Sequence, residues 1–275
     1  MNVIWNAGLA AAGVALAALN GTPGQAADLN DGWRGGSLKD GPVAYAAPAS
    51  RCYLRGDVGY AVNAAPDLRW TVTDPVTDDV VGDKVSNVSS GNSWLVEGGA
   101  GCGLGGNWRG EVMLGWRGTP KIDGEPLLWA PVIPVEDDPL HTKLSSATLM
   151  LNVYRDLGSF GNFTPYVGAG IGLARNKMHD VSFTDNLNLV NTIEGKTTTA
   201  FAWSLMAGTG YRLSERLTLD VGYRYMDLGK AESGNYDDSG AWNPRVRIDD
   251  IASHEIKVGL RIGFGGGGHH YQPMK

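Results

Sequence analysis

No stretch of this chain is apolar for long enough to cross a bilayer as a helix. The one extended apolar run, between Ala7 and Leu19, spans 13 residues, where a hydrocarbon core about 30 Å thick needs roughly 20. There are only two cysteines, Cys52 and Cys102. That excludes a disulfide-built scaffold, and neither has Cys or His neighbours at zinc-ligand spacing. Cations are nowhere gathered: 23 Lys and Arg stand against 29 Asp and Glu, a net charge of −6. A nucleic-acid surface, which needs clustered basic residues for phosphate contacts, is excluded with it. Phenylalanine is scarce as well, at five, while Trp numbers nine and Tyr ten. Amphipathic rings of that kind suit a boundary between an apolar phase and water.

Glycine is abundant. Its 40 residues in 275 are about twice the usual ~7%, with no Gly-X-Y period. The segment 1–27 combines the apolar run with a small-residue end, Gln25-Ala26-Ala27, and is expected to be a secretory signal peptide. Residues 28–51 are rich in Gly, Pro, Ala and Ser with neither helical nor strand period, so a flexible periplasmic leader is expected.

From Cys52 onward the pattern alternates with period two, in blocks of about ten residues. In the last block Ile256, Val258, Leu260, Ile262 and Phe264 share one face, and Glu255, Lys257, Gly259, Arg261 and Gly263 share the other. Leu219, Val221, Tyr223 and Tyr225 oppose Thr218, Asp220, Gly222 and Arg224 in the block before it. Eight blocks read this way. Short connections (104–107, 155–163 and 213–215) alternate with long ones (61–93, 119–143, 176–197 and 228–250), as in an up-and-down barrel with one bounded rim.

Soluble barrels alternate too, but they turn the oily face inward. Here the polar faces interleave Gly99, Gly101, Gly115, Gly168, Gly170, Gly208, Gly222 and Gly259 with long charged side chains, while the oily faces carry Trp, Tyr, Leu, Ile and Val. Only the glycine-and-charge face fits the narrow interior of eight strands, so the bulky face must meet lipid. Closure follows, because an open sheet edge in hydrocarbon leaves backbone groups unsatisfied. The fold class expected is all-β: an eight-stranded antiparallel up-and-down transmembrane β-barrel over 52–264, with short periplasmic turns and four long extracellular loops. Trp94, Trp116, Tyr60, Trp203, Tyr211, Tyr223 and Tyr225 fall near block ends, where aromatic girdles belong. Residues 265–275 form a Gly/His-rich tail.

Several phrases carry a family resemblance: Tyr53-Leu-Arg-Gly-Asp-Val-Gly-Tyr60, Thr164-Pro-Tyr-Val-Gly-Ala-Gly-Ile-Gly172, Leu219-Asp-Val-Gly-Tyr-Arg-Tyr225 and His254 to Phe264. The region resembles the eight-stranded outer-membrane barrels of the opacity-protein and outer-membrane-protein-A type, the "porin family" surface proteins of alpha-proteobacteria. The resemblance implies an outer-membrane location, with lipid, lipopolysaccharide and the barrel-assembly machinery as partners, and an extracellular ligand or host surface for the loops. Val258, Leu260, Ile262 and Phe264 match the family's assembly signal. Scaffold alone does not set activity.

The inward faces bring together Arg55, Arg109, Arg117, Arg212, Arg224, Lys257 and Arg261 with Asp57, Glu97, Glu111, Asp220 and Glu255. Buried charges persist only when paired, so a salt-bridge plug is expected, with Arg224 and Asp220 as one exchangeable pair. A structural and surface-interaction protein follows, acting through acidic loops. The alternative is a small-solute pore or a binder of haem or metal. Cys52 and Cys102 share the periplasmic rim and outward parity. The oxidising periplasm permits a bridge, but the register that would bring them together is not set by sequence.

No cofactor, metal site or catalytic residue is assigned. The pairs Asp78-Asp79, Asp137-Asp138, Asp237-Asp238 and Asp249-Asp250 lack a calcium-loop spacing and read as solvated loop charge. His141 and His179 read as polar loop residues, and His269 and His270 belong to the tail. Ser253 and His254 sit side by side near the last block, but neighbours on a strand point to opposite faces, which argues against a nucleophile and base.

Overall fold

The computed structural model describes residues 52–264 except 71, 74–79, 83–84, 127–139, 185–189, 239 and 241–244. The segments read as signal peptide (1–27), leader (28–51) and tail (265–275), and the pairs Asp78-Asp79 and Asp137-Asp138, lie outside the described residues.

Eight long strands make the barrel: β1 (Cys52–Asn63), β2 (Ser93–Gly105), β3 (Trp108–Arg117), β4 (Leu140–Asp156), β5 (Phe163–Met178), β6 (Lys196–Arg212), β7 (Leu217–Asp227) and β8 (Ala252–Phe264). Each pairs antiparallel with its chain neighbours, and β8 pairs back onto β1 to close the sheet. The cross-strand register can be followed once around. It runs from Cys52 through Cys102, Gly110, Val153, Ala169, Leu205, Tyr225 and His254, and returns to β1 at Val62, a stagger of ten residues. That stagger is the shear a closed barrel requires, and it tilts the strands to roughly 35–45° from the axis.

Alternation is what selects this fold. Leu54, Val58, Leu114, Ile171, Leu205 and Ile256 are exposed on the outer face, while Arg55, Asp57, Glu97, Arg109, Glu111, Arg117, Asp220, Arg224, Glu255 and Lys257 are buried on the inner one. The apolar band ends in aromatic residues at both rims. Tyr60 stacks edge-on against Trp94 at 5.1 Å, and Trp203 meets Tyr225 at 5.4 Å, toward the long connections. Phe163 packs on Tyr211 at 4.8 Å toward the short turns. Glycine makes room within. A Cβ on Gly259 would collide with the Asp57 carboxylate, and one on Gly208 would lie 2.6 Å from the Tyr166 hydroxyl. In the β2–β3 turn Gly105, Gly106 and Asn107 all take positive φ, which the reversal demands and glycine supplies without strain.

The four long connections differ from the loops expected. They fold into a crown. Asp67–Trp70, Val246–Asp249 and Ala231–Glu232 form a three-stranded sheet. Val85–Ser90 pairs with Lys121–Pro126, which joins the start of β4, as does the hairpin Val181–Thr184 with Val190–Ile193. The barrel strands also run past the blocks read from sequence, β4 and β6 reaching 17 residues, where about 9–11 suffice to span a membrane. Leu68, Trp70, Val85, Ile122, Val181, Ile193, Val246 and Ile248 of the crown are buried in one cluster with Met150, Ala174, Ala202 and Met226 of the barrel wall. The interior at this end is therefore apolar, not the glycine-and-charge lining expected throughout. The physical reason is that the crown strands bring their own oily faces down onto the lumen mouth.

Candidate functional site

The lumen is the most elaborated part of the molecule. Because alternate residues of eight strands converge on one axis, side chains far apart in sequence meet there. Arg224 on β7 is fully buried between two carboxylates. Its Nη2 donates to Glu97 Oε1 at 2.6 Å and its Nε to Glu255 Oε2 at 2.6 Å. Arg117 donates to Glu255 Oε1 at 2.8 Å, and Lys257 bridges Glu97 at 2.8 Å and Asp57 at 3.0 Å. Nearer the short turns, Arg55 reaches from Asp57 (2.8 Å) to Glu111 (3.1 Å) and so joins the two halves. Arg109 pairs with Glu111 and Asp156, each at 3.0 Å, and Arg261 pairs with Asp220.

Six cations and six carboxylates make up this set, so it is neutral as a whole. Eleven of these twelve residues are the ones singled out from the inward faces. The pairing differs in one respect: Arg224 and Asp220 are not partners. Four residues apart on one strand, they are separated by roughly 13 Å of rise, and each finds a partner on an adjacent or facing strand. Arg212, at the short-turn end of β6, is only partly buried.

The sequence reading missed Asp156, Tyr53, Tyr154 and Tyr166. The Tyr53 hydroxyl donates to Glu111 at 2.6 Å. The Arg109 guanidinium lies 4.3 Å from the Tyr154 ring centroid and 4.6 Å from that of Tyr166, a desolvated cation–π arrangement. Carrying the inward parity of β1 back to Tyr53, and that of β4 on to Asp156, was the signal available.

At the short-turn rim Cys52 and Cys102 face each other in register and are joined by a disulfide. Val258, Leu260, Ile262 and Phe264 lie exposed on the outer face of β8. Ser253 is buried in the lumen and donates to Glu255 at 3.0 Å, while His254 faces outward, 2.6 Å from the Tyr223 hydroxyl. The two share no site. His141 pairs with Asp123 and His179 lies 3.3 Å from the Ser145 hydroxyl. Asp249 ends a crown strand and Asp250 takes positive φ. Among the described residues no three His, Cys, Asp or Glu side chains converge as a metal site would need.

A closed, tilted, eight-stranded sheet with an oily outside, aromatic rims and a charged inside is a membrane barrel of the bacterial outer membrane. The family model for the outer membrane protein beta-barrel domain matches residues 12–264, and the chain belongs to that family. An uncharacterized protein of Brucella abortus is 31% identical over 242 residues, 77% of this chain and 84% of that protein. A putative adhesin of Rickettsia bellii is 28% identical over 116 residues, 42% of this chain and 51% of its own length. Among solved structures, the outer membrane protein OprG of Pseudomonas aeruginosa aligns with a TM-score of 0.49 at 16% identity, covering 80% of this chain and 98% of its own.

Proposed function

We propose that this outer-membrane barrel is a structural and surface-interaction protein that works through its crown and outer wall, with a lumen sealed against solute. One observation carries the reading: the lumen is filled at two levels, by the neutral charge network and by the apolar cluster above it. A wide aqueous channel belongs to barrels of about 16 strands, and the pairing of the six lumen cations with the six lumen carboxylates supports a sealed interior. The crown then faces the outside and the short turns face the periplasm. Its acidic balance and the name borne by the Rickettsia relative both favour engagement of an extracellular ligand or host surface. The barrel-assembly machinery reads β8 through Val258, Leu260, Ile262 and Phe264.

Planar-bilayer recording of purified protein tests the seal. Closed or rare, brief openings are expected. Frequent stable openings of porin size would overturn the reading in favour of a small-solute pore.

A further inference from the structure

Four cations on the outer face of the barrel have no place in the lumen network. Arg175 and Lys177 follow Ile171 and Leu173 on the outward face of β5, and Lys143 and Lys121 are exposed on β4 and on the crown strand beside it. Register brings them together. Lys121 and Lys143 stand directly opposite each other. The His179 amide donates to the Lys143 carbonyl, and Lys177 opposes Ser145, so Lys177 lies diagonal to Lys143. Directly opposed residues have Cβ atoms about 4.5–5.5 Å apart and diagonal ones about 7–8 Å, and Arg175 stands two residues before Lys177 on the same face, roughly 7 Å away, so the four cations form one continuous basic row.

Their height is also set. Ile171 opposes Trp203 of the aromatic rim, and Arg175 lies four residues further along the strand, roughly 13 Å. Lys143 is four residues beyond Ala147, which opposes the rim residue Trp116. With the strands tilted, the cations therefore lie roughly 10 Å beyond the aromatic girdle, in the polar layer of the leaflet on the long-connection side. Like charges directly opposed on a sheet are destabilising. Among the described residues none of the four has an ion pair or a side-chain hydrogen bond, and Asp123 on the same face is already paired with His141.

We infer that Lys121, Lys143, Arg175 and Lys177 form a docking site for the phosphate groups of the outer-leaflet glycolipid, lipopolysaccharide. Ammonium and guanidinium donors make charge-assisted hydrogen bonds to phosphate oxygens, and a multiply charged phosphate relieves the repulsion of the opposed lysine pair at the membrane surface. The inference rests on the crown facing outward. It gives the barrel wall a ligand distinct from whatever the crown engages.

The test uses the full chain in zwitterionic detergent, incubated with bis-phosphorylated lipid A, its dephosphorylated counterpart or phosphatidylglycerol, with retained lipid read by native mass spectrometry. Wild-type protein should keep the phosphorylated glycolipid, and K121Q/K143Q/R175Q/K177Q should keep at least tenfold less. R69Q/R247Q removes another directly opposed pair, in the separate three-stranded sheet of the crown, and should behave as wild type. Inorganic phosphate at matched concentration should not displace the lipid. The smaller variant K121Q/K143Q guards against a folding defect: it should unfold at higher urea than wild type without lipid and lose that advantage when lipid A is present. Equal retention by the fourfold variant, equal retention of the dephosphorylated lipid, preference for phosphatidylglycerol, or equal loss in R69Q/R247Q would overturn the site. Orientation is read separately, by labelling a single cysteine at position 156 from outside the cell.

Discussion

Replacing Arg224 with Met tests the charge network at its centre. Arg224 is 0% exposed and holds Glu97 and Glu255 together. Without it, Glu255 keeps Arg117 and Glu97 keeps Lys257, but Lys257 is already shared with Asp57. One carboxylate is left uncompensated in the lumen. Breaking a buried pair from one side costs about 3–5 kcal/mol, which is roughly a hundred- to several-thousand-fold in the unfolding equilibrium. The compensating variant R224M/E255Q removes the stranded charge while leaving a neutral amide side chain at position 255 that can still bond Arg117 and Ser253. It should recover about half the loss or more. Urea unfolding of protein folded into lipid vesicles, followed by tryptophan fluorescence, measures both. A single variant within about 1 kcal/mol of wild type, or a double variant less stable than the single, would refute the idea that charge balance holds the interior together.

The lipid face is tested by V221R and L260R, at positions exposed on the outer wall, which should each cost about 2–4 kcal/mol if they lie near the midplane. The same substitution at Thr197, on the part of β6 beyond the girdle, should cost far less, and equal losses would contradict the placement of the band. Deleting 265–275 should leave the heat-modifiable band on unboiled gels intact, whereas deleting Phe264 as well should reduce it; no difference would argue against β8 as the assembly signal. Non-reduced, denatured protein should titrate no free thiol. Replacing Cys52 and Cys102 by Ser should lower stability by up to ~4 kcal/mol on the chain-entropy estimate for a loop of that length, with a full complement of two thiols per chain counting against the bridge.

The wall of the barrel was legible because each strand reports its own two faces: the inward and outward sets differ so strongly in size and polarity that eight blocks keep one parity. Pairing inside the lumen was not legible. Arg224 and Glu97 are 127 residues apart, and Arg117 and Glu255 are 138 apart, so their meeting depends on strand order and shear, which no local pattern encodes. Arg224 and Asp220 looked like partners only because they are close in sequence on one face. The crown escaped for a different reason. Its strands are as short as Ala231–Glu232, and even the four residues of alternation in Asp67-Leu-Arg-Trp70 do not stand out from a loop. Leu68 and Trp70 are nonetheless buried while Asp67 and Arg69 are exposed, the same rule on a smaller scale.

The cluster that joins Leu68, Ile122, Val181, Ile193 and Ile248 to Met150 and Met226 makes the four long connections one inheritable module. Excising any one of them would uncover apolar surface on the other three and on the lumen mouth, so a phenotype from a single deletion would report collapse of the whole assembly as readily as loss of one contact. Epitope grafts and chimaeras between relatives should therefore exchange the connections together, with the inward residues of β4, β5, β6 and β7 that pack beneath them. Among the described residues the short turns at the opposite rim share no such cluster; single backbone bonds such as Asp156 N–H to the Asn107 carbonyl join them, so each can be redesigned with far less effect on its neighbours provided Asp156 is kept.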